Sequence, residues 1–216
     1  GVALAFLLVL SIGSVSIPLE QVFTILLGGE PERAAWGQIV LLFRLPRALT
    51  ALLAGAALGV AGLQMQTLFR NPLADPFVLG ISSGASLGVA LVVLGGSALL
   101  VGTASGDLLS GLGLLGNLTL IAAASLGALA VTVLVLLAAQ RVNAMTLLVL
   151  GLMIGYGVSA LVSILLYFSI AERIQAYIAW TFGSFSGVSW QQLRVLAPVL
   201  LACLGLALFS GKSLNA

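Results

Sequence analysis

Histidine is absent from the chain, cysteine occurs once, and ionisable side chains of either sign are scarce. Each shortage excludes or weakens something. Lack of imidazole weakens the case for a haem site, a zinc site or a histidine proton relay. A lone Cys203, set in an apolar run, cannot close an intrachain disulfide, so cysteine usage says nothing about compartment. Only 6% of the 216 residues are charged, against roughly 25% in an ordinary soluble domain. That leaves too little polar surface to face water. The net charge of +2 comes from eight basic and six acidic groups with no basic cluster, so nothing points to nucleic acid.

What the chain has instead is apolar length, at 61% hydrophobic residues. A bilayer core about 30 Å thick takes roughly 20 apolar residues per helix. A charge at its centre costs about 2.5–3.5 kcal/mol on insertion scales, so ionisable residues should mark the ends of spans. Cutting the chain at its charges and Pro/Gly clusters predicts an all-α, polytopic transmembrane helical bundle of about six spans plus short interfacial helices. The expected spans are 2–17, 46–69, 79–94, 118–139, 146–170 and 193–209. Residues 18–42 form a polar interlude with an amphipathic run at 19–27, residues 95–117 a loop containing Asp107, and residues 172–187 an interfacial helix. Asn71-Pro72 and Asp75-Pro76 enforce a break, because proline disfavours helix in the residue before it. The first span starts at Gly1 without a methionine or basic leader, so further residues are expected upstream; a signal-peptide core is the alternative for that stretch.

Small residues recur at helical spacing in Gly55, Gly59 and Gly62, in Gly80, Gly84 and Gly88, and in Gly151 and Gly155. In lipid such faces let helix backbones approach closely, so these glycines are expected to pack helices. Several catalytic patterns fail on context. Gly80–Gly84 and Gly84–Gly88 both fit G-x-S-x-G, yet that elbow needs a strand and a histidine. Gly111–Gly116 fits G-x-G-x-x-G without a strand before it or an acidic residue some 20 positions later. Gly211-Lys212-Ser213 ends like a Walker A loop, but the leading glycine position holds Leu206. No catalytic residue, resident cofactor or metal site is expected, and no ATP-hydrolysing site. All six acidic residues fall outside the spans, which argues against an ion-coupled transporter.

The ordered string Arg44-Leu45-Pro46-Arg47, Ala54–Leu58, Gly62–Gln66, Asn71–Pro76 and Leu79-Gly80, extended by Leu150-Gly151, Trp180-x-x-Gly183-Ser184 and Trp190, closely resembles the FecCD-type permeases. These are membrane subunits of ABC importers for ferric siderophores, haem and cobalamin, multi-pass proteins of the bacterial or archaeal cytoplasmic (inner) membrane. The resemblance implies that residues 1–216 are the N-terminal, six-span portion of a longer ten-span permease. It further implies a cytoplasmic N-terminus, although a plain Lys/Arg count would put Arg33, Arg44, Arg47, Arg173 and Arg194 in the cytoplasm. Arg44 and Arg47 then lie at the outer face, spaced i, i+3 on one side of a helix start, where family arginines pair with glutamates of a substrate-binding protein; interfacial snorkelling is the other reading. Asn71, Leu73, Asn143 and Ala144 match positions of the cytoplasmic gate, with an ordinary capped turn as the alternative at Asn143. Lys212, Ser213, Leu214 and Asn215 fall where the family approaches its ATPase. Ser82, Ser83, Ser86, Ser159 and Ser163 are candidates for the pathway wall, or for bonding to their own backbone. Implied partners are a second permease subunit, cytoplasmic ATP-binding subunits, an extracytoplasmic binding protein and the bilayer. An ion-coupled secondary transporter and a non-transporting membrane scaffold are the rival functions.

Overall fold

The structure is a computed structural model and describes residues 1–95 and 114–214. Asp107, most of the 95–117 loop, the first residues of the G-x-G-x-x-G match and Asn215 lie outside the described residues. Among those described, every regular element is helical: α1 (Val2–Ser11), α2 (Leu19–Leu26), α3 (Ala34–Gln38), a π-helical segment (Ile39–Arg44), α4 (Leu45–Phe69), a 3₁₀ turn (Pro76–Leu79), α5 (Ile81–Val93), α6 (Leu114–Ala139), α7 (Ala144–Tyr167), α8 (Ala171–Thr181) and α9 (Trp190–Leu214).

Among the described residues, four helical runs are long and apolar enough to cross a membrane: Ala34–Phe69, Leu118–Ala139, Met145–Tyr167 and Trp190–Phe209. The expected spans at 2–17 and 79–94 hold shorter helices. α1 stops at Ser11 and α5 covers 13 residues, about 15 and 20 Å at 1.5 Å per residue, less than the ~30 Å core. Both are cut by glycine. Ile12 after α1 is extended and followed by Gly13, while Gly80 and Gly95 bracket α5. The span expected to begin at Pro46 starts much earlier, at Ala34, and continues for 36 residues. Proline has no N–H and its ring clashes with the carbonyl four residues back, which ordinarily breaks a helix. Here the π segment just before it widens the turn, with the Leu45 N–H bonded to the Val40 carbonyl, and the helix passes through.

Backbone packing divides the chain into two compact units, residues 1–64 with 184–216 and residues 65–183. In the first, Leu10, Ile17, Val22, Ile25, Val40 and Ala48 form a buried cluster with Phe6, Trp36, Ile39 and Leu45 around it. In the second, Val89, Ala90, Val93, Leu94, Val162 and Tyr177 make one cluster, and Leu79, Val131, Val135 and Leu147 another. Over the most apolar 18 residues of each candidate span, only 6–22% are buried within the chain. The remaining apolar faces need lipid or further protein to cover them.

Glycine sets the closest approach in the second unit. A Cβ at Gly84 would stand 2.6 Å from the Gly127 carbonyl oxygen, and one at Gly88 or Gly127 would collide with the Ala123 or Gly84 carbonyl oxygen. A Cβ at Gly80 would lie 3.2 Å from the Gly151 carbonyl oxygen, one at Gly151 3.0 Å from Leu79 Cα, and one at Gly155 3.5 Å from Gly80 Cα. So α5 rests its glycine row on α6 at one level and on α7 at another. The Gly55, Gly59 and Gly62 row differs: among the described residues an added Cβ meets nothing within 4 Å. Gly127, which the spacing of glycines does not single out, is the residue α5 packs against; the signal for it is its pairing with small Ala123 one turn earlier.

Candidate functional site

The sequence-predicted gate residues converge in the second unit on one helix break and one turn. α4 ends at Arg70, whose φ of 47° is left-handed. The Asn71 N–H donates to the Gln66 carbonyl at 3.1 Å, closing the last turn. The Asn71 side chain then accepts from the Leu73 N–H at 2.9 Å, and the Asp75 carboxylate accepts from the Phe77 N–H at 2.7 Å, capping the 3₁₀ turn that Pro76 begins. Gly80, at φ 75°, turns this directly into α5. The Asn71 and Asp75 side chains are therefore both engaged with local backbone, while Leu73 is 87% exposed and free to meet whatever lies beyond. Arg70 carries the cost of a left-handed conformation without being glycine. Arg70→Gly is expected to raise the stability of the full-length protein by about 1 kcal/mol, read as a higher midpoint in thermal unfolding.

At the turn between α6 and α7, Asn143 is the N-cap of α7, its side-chain oxygen accepting from the Thr146 N–H at 2.9 Å, and Ala144 is the first helical residue. Asn143→Ala should cost about 1 kcal/mol through the lost cap.

Break and turn border one pocket of about 410 Å³, lined by Met65, Leu68, Phe69, Leu79, Ile81, Thr132, Val135, Leu136, Ala139, Val142 and Leu147. Thr132 is the one polar side chain in the lining, and its hydroxyl donates to the Ala128 carbonyl of its own helix. Such a lining offers no ligand for a cation. Among the described residues no three His, Cys, Asp or Glu side chains cluster to hold a metal. Ser83, Ser159 and Ser163, candidates for a pathway wall, donate to the carbonyls of Gly80, Gly155 and Ser159 on or beside their own helices.

The two arginines of the Arg44–Arg47 motif, in the first unit, are held differently. Arg44 is 8% exposed. Its Nη1 donates to the carbonyls of Leu10 and Ser11 at 2.8 Å each and its Nη2 to that of Val15. The π segment thus turns Arg44 inward onto the end of α1. Arg47 is only partly buried. One Nη donates to the Ser186 carbonyl, its guanidinium lies 6.0 Å from the Phe43 ring centroid, and its Nε has no hydrogen-bond partner among the described residues. Trp190 ties the same region together by donating from Nε1 to the Leu41 carbonyl at 2.8 Å. At the far end of the sequence, Lys212, Ser213 and Leu214 close α9.

The FecCD transport family matches the chain over residues 1–216. The vitamin B12 import system permease protein BtuC of Klebsiella pneumoniae is 40% identical over 158 residues, covering 73% of this chain and 43% of the relative. Its counterpart from Salmonella paratyphi A is 41% identical over 162 residues, covering 73% and 45%. The chain thus spans less than half the length of these relatives. A solved structure of a metal-chelate type ABC transporter in an inward-facing conformation superimposes with a TM-score of 0.77 at 27% identity, over 99% of this chain and 60% of that one. Whole-length family agreement, joined to long apolar helices broken where the family motif places Asn71–Pro76, establishes that the chain belongs to the FecCD transport family and is a multi-pass protein of the inner membrane.

Proposed function

We propose that the chain is the first six spans of a ten-span permease subunit in a binding-protein-dependent ABC importer for a cobalamin-like or ferric-chelate substrate. The likeness to vitamin B12 permeases over 73% of the chain carries this reading. The distribution of charge supports it. Glu20, Glu30, Glu32, Asp75 and Glu172 all lie outside the four long apolar helices, so no described carboxylate sits where a coupled proton or sodium ion would bind. Energy then comes from separate ATP-binding subunits, and the permease itself is not an enzyme.

Two permease subunits enclose the path, with the ATPases at the cytoplasmic end and a binding protein outside. The N-terminus is cytoplasmic, which puts Arg44 and Arg47 at the outer face, while the Asn71–Leu79 break and the Asn143 turn form the inner gate. Opening there needs only a small tilt of α4 or α7, because side chains at a helix break change the aperture with little rotation, and the apolar lining favours the closed state by excluding water. Each state is favoured by whichever partner binds it better.

The test is reconstitution of the full-length permease with its ATPase and binding protein in vesicles loaded with ATP. Uptake of radiolabelled cobalamin or ferric chelate is expected to require ATP and binding protein and to survive ionophores. Uptake abolished by an ionophore would mark a secondary transporter, and no flux for any chelate a scaffold. Residues 1–216 alone are expected not to transport.

A further inference from the structure

We infer that the apolar pocket of the second unit, flanked by Arg70 and Arg141, is a binding site for one anionic phospholipid. An acyl chain lies in the pocket and the two guanidinium groups hold the phosphate. This rests on the chain being a membrane protein, and neither on transport nor on which side of the bilayer the arginines face.

The pocket is built from two apolar stripes that each run out into an arginine. On α6, Thr132, Val135, Leu136 and Ala139 are spaced i, i+3, i+4 and i+7, which is one face of a helix. At 1.5 Å per residue that stripe is about 10 Å long. Val142 continues the lining past the end of α6, and Arg141 immediately precedes it. On α4, Met65, Leu68 and Phe69 repeat the i, i+3, i+4 spacing, and Arg70 follows at once. The volume of about 410 Å³ is in the range of small-ligand pockets, about 300–1,000 Å³. Water suits such a space poorly. A buried water needs about two to four polar partners, and the one hydroxyl of the lining is spent on the Ala128 carbonyl. Leu68 and Leu136 are each more than half exposed, so a chain can enter from the side.

Charge selects the occupant. Arg70 and Arg141 are both exposed, and among the described residues neither guanidinium has a hydrogen-bond or ion-pair partner. Asp75 is the one carboxylate of the break, and it accepts from the Phe77 N–H. Glu172 lies past the opposite end of α7 from Arg141. Two cations against one anion leave a positive charge beside an apolar hollow. Guanidinium forks match the oxygens of a phosphate, and basic sites between transmembrane helices hold anionic headgroups. A free phosphate would meet the arginines without using the pocket. A zwitterionic lipid would use the pocket while its ammonium opposes the arginines.

The experiment is native mass spectrometry of the full-length protein in detergent, with dioleoyl phosphatidylglycerol or dioleoyl phosphatidylcholine added at equal concentration. One phosphatidylglycerol per chain is expected to survive collisional activation that strips phosphatidylcholine. Arg70→Gln with Arg141→Gln should lower that retention at least about tenfold, and the paired Lys variants should restore part of it. Ala139→Trp fills the pocket at unchanged charge and should lower retention as far. Equal retention of the two lipids, an unaltered Gln pair, or full retention by Ala139→Trp overturns the site. Absence of any retained phospholipid, the result if other parts of the full-length chain cover the pocket, also overturns it. So does displacement by inorganic phosphate, which would mark an anion site alone. Should Ala139→Trp not be recovered monodisperse, the Gln and Lys pairs decide.

Discussion

Gly127→Val is expected to reduce recovery of monodisperse full-length permease to less than about a tenth of the parent. The added side chain would drive into the Gly84 carbonyl oxygen, and its Cβ would also stand 3.0 Å from both the Gly84 carbonyl carbon and the Gly88 nitrogen. All three are backbone atoms, so no side chain can swing aside. Overpacking against movable side chains typically costs about 1–3 kcal/mol; parting two helices costs more, because the contacts on either side of the crossing go with it. Those contacts are Val89, Ala90 and Val93 above and Val131 and Val135 below. A loss above about 3 kcal/mol is a large fraction of the 5–15 kcal/mol that holds a typical protein together. Gly157→Val is the comparison, since a Cβ there meets nothing within 4 Å among the described residues. Equal loss in both variants would show that β-branching, not the α5–α6 crossing, is responsible.

On the function proposed above, Arg47→Glu is expected to abolish binding-protein-stimulated ATP hydrolysis while leaving membrane insertion and basal hydrolysis near the parent level. Truncating one member of a close charge pair at an interface costs about 2–5 kcal/mol, so affinity should fall at least about thirtyfold, and charge reversal adds repulsion. Arg47 suits the role because its guanidinium is only partly buried and lies beside the exposed Phe43. Charge reversal of an acidic residue on the binding protein should recover part of the stimulation. Full stimulation by Arg47→Glu would remove this residue from docking. Arg44→Glu should behave differently, leaving the α1 end unfinished and lowering recovery itself, because a carboxylate cannot donate to the Leu10, Ser11 and Val15 carbonyls.

Features encoded by neighbouring residues were open to reading along the chain. The break at Asn71–Pro76 follows from two Asx-Pro pairs whose preferences act within a few residues, and the structure places there the two side-chain-to-backbone turns such pairs form. The apolar run of α6 and α7 and the polar turn at Arg141–Asn143 are equally local. The helix through Pro46 was not legible, because a proline reads as a start until the π turn that accommodates it is seen. Nor was the shortness of α1, where sixteen apolar-looking positions contain a glycine whose role is to admit Arg44.

By itself the sequence determined that the chain is helical and membrane-embedded, since neither apolar length nor the placement of charge depends on how the helices meet. It also carried the ordered family motif. The tertiary structure alone decided which glycines touch, giving Gly84 and Gly88 to Gly127 and Ala123 while leaving Gly55, Gly59 and Gly62 open. It alone separated two arginines that look equivalent three residues apart, turning Arg44 onto α1 and leaving Arg47 partly exposed. The physical reason is the same in both cases: a close approach or a hydrogen bond between residues more than thirty positions apart is set by how helices cross, which no local periodicity encodes.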